Sequence, residues 1–495
     1  MAGPGDIARS APNKLVPNFH RVIYMDAGCW QSRENGMPHM TFGLMEHNAI
    51  ALCAYFSPGK QISLPVIPKI KYDFYKSNIC KFLSLMMRNR YNVTPSPRDP
   101  IYGFHILKIF PFPENSLLND VEELRIFVPD LHLHFFKDTL LDNFITKYGN
   151  SWSGNRIVPV KLPKRISMET DFAEFLQTVS EYQKQINSKT RVHFLGDMFE
   201  LWETEAVAKN FVSKGQTKKY YEGLDALVEW LWESVKNANS DTPGAYTLKK
   251  ALKKIVNRKL TSLPLDPLIE NQVAEFHRNP STRNLLIDPG DSKDKIIEKA
   301  RAMSHQILLK HHGADGSDFS ALLDQISWKY YIHGNHDNYL FGIAEANDTF
   351  GFGGVEIKAH RFRADLTFDN AELMFNHGHN MDDYNNDDAC AIGRLITCLL
   401  TFYELKSQGD VIKDLEAAFR DEKQVREDLI KKIARIGYTW EEDDMKSRKR
   451  NKIIVLAHTH LPAMEDITNE FLIWKGAANA WPAKARDAWT AKRTF

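Results

Sequence analysis

Five short apolar runs in this chain end in the same kind of residues, and that repeated ending constrains the fold more than any other feature. They are Leu124–Val128, "TRVHFLGD" (190–197), "WKYYIHGNHD" (328–337), "AELMFNHGH" (371–379) and "KIIVLAHTHLP" (452–462). Each has the β-branched and aromatic content of a strand. Apolar runs usually close in turn residues. These close in Asp130-Leu131-His132, Gly196-Asp197, Gly334-Asn335-His336-Asp337, His377-Gly378-His379 and His458-Thr459-His460. The unit is strand, polar tip, helical connection. It predicts a layered α/β fold with a site on one edge, at the strand ends.

The tips supply carboxylate, imidazole and amide groups, a donor set that suits Mn, Fe or Zn. No tip carries a cysteine, which argues against a structural zinc site. There are too many ligands for one ion, so the reading is a two-metal site in which Asp197 could bridge. Two neighbouring metals lower the pKa of a bridging water, so that hydroxide exists at neutral pH. They also clamp the oxygens of a phosphoryl group. Asn335 offers a neutral oxygen. His336 points to the other side of the strand end, free to act as a general acid or to hold a phosphate oxygen.

The ordered series DLH, GD, GNHD, HGH, HTH resembles the calcineurin-like metallophosphoesterase superfamily, and it covers residues 130–460. The resemblance implies a β-sandwich flanked by helices. It implies that Asp130, His132 and His460 hold one metal and that Asn335, His377 and His458 hold the other, with Asp197 bridging. His336 would be the catalytic histidine and Asp337 would orient it. Manganese is the first choice of metal, with iron or zinc as alternatives. "LGDMFELW" (195–202) is similar to a stretch of the bacterial UDP-diacylglucosamine pyrophosphatase group, and "IWKGAANAW" loosely to its Y-x-N-x-G-x-W closing strand. Pro129 and Ala457 replace a usual small residue and a usual glycine. The gap from Asp197 to Asn335 is 138 residues (335 − 197), far beyond a simple crossover.

The rest of the chain is read around that domain, 118–495, with helical insertions at 204–326 and 386–450. Residues 1–18 are expected to be disordered. "MTFGLMEHNAIALCAYF" predicts a hairpin around His47-Asn48, residues 74–90 and 171–186 predict helices, and 57–117 are otherwise undefined. "YMDAGCW" (24–30) matches the closing-strand pattern at least as well as residues 474–481 do. That suggests that 20–56, within an N-terminal segment 19–117, adds strands to the edge of the sandwich as a duplicated or permuted closing segment.

Other polar residues have plainer readings. His134 shares the strand face of His132 and is read as structural. His311-His312 end a helix whose dipole favours cations. His379 and Asp382, with Asp383, at the fourth tip are candidates to hydrogen-bond the metal ligands or to bind phosphate rather than to hold a metal. The basic residues of 249–259 and 446–452 are read as solvated.

The expectation is a dimetal-dependent phosphoesterase acting on a phosphorylated small-molecule or nucleotide-like substrate. A nuclease acting on DNA or RNA, and a non-catalytic scaffold, are the alternatives. A formal net charge of +1 gives no global attraction to nucleic acid or membrane. Five cysteines without a CxxC pair and an N-terminus without an apolar core fit a reduced, cytoplasmic protein. The segment 389–405 carries Arg394 and too few apolar residues to span a membrane, so it is read as a buried helix. Oligomeric state is not encoded.

Overall fold

The computed structural model describes residues 19–30, 39–56, 76–91, 106–111, 123–136, 148–153, 156–161, 168–186, 190–210, 259–262, 267–313, 315–340, 349–352, 355–360, 363–368, 371–379, 450–460 and 462–469, with scattered positions in 222–257 and 385–397. Residues 1–18, 57–75, 471–481, Asp382, and nearly all of the 386–450 insertion and of the 389–405 segment lie outside the described residues.

The strands of the first half are β1 (Phe19–Asp26), β2 (His39–Glu46), β3 (Ala49–Phe56), β4 (Ile106–Pro111), β5 (Arg125–Val128), β6 (Tyr148–Ser153), β7 (Arg156–Lys161) and β8 (Arg191–Phe194). Those of the second half are β9 (Lys329–Ile332), β10 (Thr349–Phe352), β11 (Val355–His360), β12 (Arg363–Phe368), β13 (Ala371–Phe375), β14 (Arg450–Leu456) and β15 (Ala463–Asp466). One mixed sheet has the order β10-β11-β9-β8-β5-β2-β3-β4, a second mixed sheet the order β12-β13-β14-β1-β15, and β6-β7 form a separate hairpin. The fold is mixed α/β.

Parallel pairing explains why the tips meet. β5, β8 and β9 run parallel in one sheet, and β13, β14 and β1 run parallel in the other. Their C-terminal ends therefore lie along one edge of each sheet. Between the sheets sits a core of Ile23, Met25, Phe127, Leu195, Phe375 and Val455. The opposite face of the larger sheet packs on helices α1 (Asn78–Tyr91) and α2 (Met168–Ile186). Helix α2 buries Phe172, Phe175, Leu176, Val179 and Tyr182, the stripe its periodicity predicts. The helix over 293–310 starts at Ser292, whose side chain accepts from Lys295 N. No described helix is long and apolar enough to cross a membrane.

The N-terminal strands do more than extend an edge. The β2–β3 hairpin forms as expected and joins the larger sheet through β5, with β4 beyond it. β1 is not at an edge. It runs parallel to β14 and antiparallel to β15, between the two. The contact between 20–56 and the 450s strand is thus made from inside the sheet, because β1 (buried from Val22 to Asp26) needs neighbours on both sides.

A buried charged group sits at the start of β5. Glu123 Oε1 is 3.0 Å from both Arg125 Nη2 and Arg191 Nε, with Arg125 and Glu123 buried. Removing the carboxylate would strand a buried guanidinium. Glu123→Gln is expected to lower the unfolding free energy by about 3–5 kcal/mol, read by urea titration, whereas Glu123→Leu combined with Arg125→Met recovers most of the loss. Equal midpoints for Glu123→Gln and the parent would refute this.

Candidate metal centre

Each tip is fixed by hydrogen bonds from another. Leu131 N and His132 N donate to the Asp197 carbonyl at 3.1 and 2.8 Å. His336 N donates to Asp197 Oδ1 at 2.8 Å, and His458 N to Asp130 Oδ2 at 3.0 Å. Ala457 N donates to the His377 carbonyl at 2.9 Å. Six described non-glycine residues have positive φ, and His132, Asp197, His458 and His460 are four of them. Backbone held there marks a site that the surroundings over-determine.

Two glycines allow the approach. At Gly196, φ is +106°, and a Cβ would lie 2.6 Å from His377 Nδ1. At Gly334, a Cβ would lie 2.5 Å from the backbone nitrogen of Asp197, which no side-chain rotation relieves.

The donor atoms form groups in which all lie within 4.8 Å of one another: Asp130, His132 and His460; Asp197, His377 and His458; and His132, Asp197 and His336. Each of these could hold a metal ion. Asp197 Oδ2 lies 3.1 Å from His377 Nε2 and 4.0 Å from His132 Nε2, so it faces both of the first two groups. Asn335 Oδ1 is 3.1 Å from His377 Nε2. His460 Nε2 is 3.0 Å from Asp130 Oδ2 and 3.1 Å from His132 Nε2.

The ring nitrogens indicate whether this donor set suits a cation. His377 Nδ1 donates to the Leu195 carbonyl at 2.9 Å, and His132 Nδ1 donates to Glu200 Oε2 at 2.8 Å. A metal-binding histidine usually commits its far N–H to a carbonyl or carboxylate in this way. In the neutral ring, each Nε2 then turns a lone pair toward further lone pairs. The donors fit a divalent cation. Without one, protons must do the same work. Burial alone would push Asp130 up, but His377 and His460 outweigh it and hold the carboxyl well below the usual range. Burial likewise opposes, and His377, His336 and His132 still hold, Asp197 far down. Against the opposing effect of burial, Glu200 and Asp197 raise His132 to about 9, and Asp197 and Asp130 raise His377 well above its usual value.

His336 sits at the rim, its side chain 16% exposed against 4% for His132. Its Nδ1 is 2.6 Å from Glu200 Oε2, and the ring stacks on Trp202 at 4.8 Å. Asp337, expected to orient this ring, is engaged with main chain. Asp337 commits both oxygens to main chain, accepting from Gly334 N at 2.6 Å and from Met198 N at 3.0 Å. It ties the third tip to the second, and burial plus the Asp197 charge push it up to about 6. The carboxylate that meets His336 is Glu200, at the mouth of helix α3 (Leu201–Asn210), with Oε1 accepting from Glu203 N at 3.3 Å. Sequence reading missed Glu200; its only signal was an acid three residues after Asp197 in "GDMFE".

Three other histidines fall into place nearby. His379 is buried, its ring 5.2 Å from that of His377. His134 faces Glu203 at 3.5 Å, and burial lowers it to about 4. His311 links the 293–310 helix to α2 through Glu169 and to the first tip through the His134 carbonyl.

Gly334→Ala is expected to cost about 1–3 kcal/mol of stability through overpacking and to abolish Mn²⁺ binding by calorimetry. Parent affinity in that variant would refute the packing argument. Glu200→Gln is expected to weaken Mn²⁺ binding about 10–100-fold by the same measurement; unchanged binding would mean that Glu200 does not support His132.

No family model, no curated protein and no solved structure matches this chain.

Proposed function

We propose that this chain is a metal-dependent phosphoesterase of the calcineurin-like type, holding two divalent ions, manganese first among them. The observation that carries the reading is the convergence of the five tips into donor groups that share the neighbourhood of Asp197. Asp130, His132 and His460 would hold one ion; Asn335, His377 and His458 the other; Asp197 would bridge. Bound there, two divalent ions supply Lewis-acid polarisation of phosphoryl oxygens and an activated water.

The chain's own residues do the rest. The Glu200 carboxylate, 2.6 Å from Nδ1, and the indole of Trp202, stacked on the ring, hold His336 in place. When the water oxygen bonds to phosphorus and the bond to the leaving oxygen breaks, His336 Nε2–H delivers its proton to that oxygen. Burial of Asp130, Asp197 and His377 keeps the reacting groups in a low-dielectric surround, where oriented charge acts most strongly. No covalent phosphoenzyme is required.

The test is Mn²⁺-dependent turnover of a phosphomonoester, a phosphodiester, a nucleoside diphosphate conjugate, and single- and double-stranded DNA. His336→Ala is expected to lose about 10²–10⁴-fold in rate while still binding Mn²⁺, and Asp197→Asn to lose both turnover and metal. DNA as the preferred substrate would make the protein a nuclease. Metal binding without turnover on any member would leave the fold as a binding platform.

A further inference from the structure

The residues after β1 sit against the same tips, although they lie outside the five motifs. β1 pairs with β14 in register up to Asp26 opposite Leu456, and Ala27 N extends the pairing to the Leu456 carbonyl at 2.8 Å. This brings Asp26 beside the His458-Thr459-His460 tip. Asp26 is fully buried. Its Oδ2 accepts from Thr459 Oγ1 at 2.5 Å and from Tyr24 OH at 3.2 Å, and its Oδ1 accepts from Gly28 N at 2.8 Å.

Thr459 stands between two histidines that are both left-handed, His458 at φ 70° and His460 at φ 58°. A tip with two such residues does not hold its shape alone. Inside the tip, Thr459 N reaches only two residues back, to the Ala457 carbonyl at 2.8 Å. The Thr459 side chain is fastened from outside, by Asp26.

The same short segment grips a second tip. Cys29 forms a parallel bridge with Asp130, and Trp30 N donates to the Asp130 carbonyl at 2.9 Å. Trp30 is anchored in turn in the core, its ring 5.0 Å from those of Phe172 and Phe175. Residues 26–30 therefore hold the main chain of the Asp130 tip and the side chain of the Thr459 tip at once.

We infer that Asp26 is a positioning residue, supplied by the N-terminal strand, that fixes His458 and His460 through Thr459 for metal binding. The inference rests on the metal-centre reading above. It assigns residues 19–30 to the site rather than to a separate module.

The experiment measures Mn²⁺ stoichiometry and affinity of the full chain by calorimetry, with unfolding of the metal-free protein alongside. Three variants are compared with the parent: Asp26→Ala, Asp26→Asn and Thr459→Val. Thr459→Val removes one hydroxyl at constant shape, so it remains informative if Asp26→Ala does not fold. Asp26→Ala and Thr459→Val are expected to weaken Mn²⁺ binding by about tenfold or more. In Thr459→Val the metal-free unfolding midpoint stays close to the parent's. Asp26→Asn, which can still pair with Gly28 N and the Thr459 hydroxyl, restores most of the affinity. A merely structural role would lower the midpoint and leave the affinity of the folded protein unchanged. Parent affinity in folded Thr459→Val overturns the inference alone. A parent chain that binds no Mn²⁺ overturns the metal reading and this inference with it.

Discussion

A buried carboxylate, Asp197, is the group on which the arrangement of the strand ends depends. Its carbonyl oxygen receives the main chain of the first tip, its Oδ1 the main chain of the third, and its Oδ2 faces the ring of the fourth. An unpaired carboxylate so deep would be far too costly to keep ionised. It persists as an anion because imidazoles converge on it, and they can converge because Gly196 and Gly334 leave no side chain in the way. Removing its charge would loosen three tips together, since its bonds are shared among them. That coupling makes the tips a unit rather than five separate loops.

The legible part of this fold is the part written locally. Each tip is contiguous in sequence, and a run such as Tyr330–Ile332 followed by Gly334-Asn335-His336 declares both its strand and its chemistry. The α2 stripe and the β2–β3 hairpin are equally local. Pairings across long sequence separations were not legible. Nothing in the period of "FHRVIYMD" says that it will insert between β14 and β15, since periodicity fixes which face is buried and not which strand is the neighbour. The same limit hid the partner of His336. Asp337 is adjacent in sequence, but its side chain turns to the main chain of Gly334 and Met198, and the carboxylate that reaches the ring comes from the second tip.

Energetics give the strained backbone a meaning. A non-glycine residue in the left-handed region costs of order 1–3 kcal/mol, so His132, Asp197, His458 and His460 together cost roughly 4–12 kcal/mol by the same scale. A whole domain is stable by only about 5–15 kcal/mol. Glycine would remove that cost, and glycine is used at Gly196 and Gly378, where φ exceeds 100°. At the other four positions a side chain is retained despite the strain. The hydrogen bonds between tips offset part of it, and the attraction between carboxylates and imidazoles offsets more. His132 and His377 Nε2 point at an imidazole nitrogen and an amide oxygen that can themselves donate a lone pair, a donor set that could hold a cation. Strain and lone-pair direction are independent observations, one of backbone and one of ring orientation. Both fall at the C-terminal ends of β5, β8, β9, β13 and β14, beside the end of the strand β1 that the N-terminus contributes.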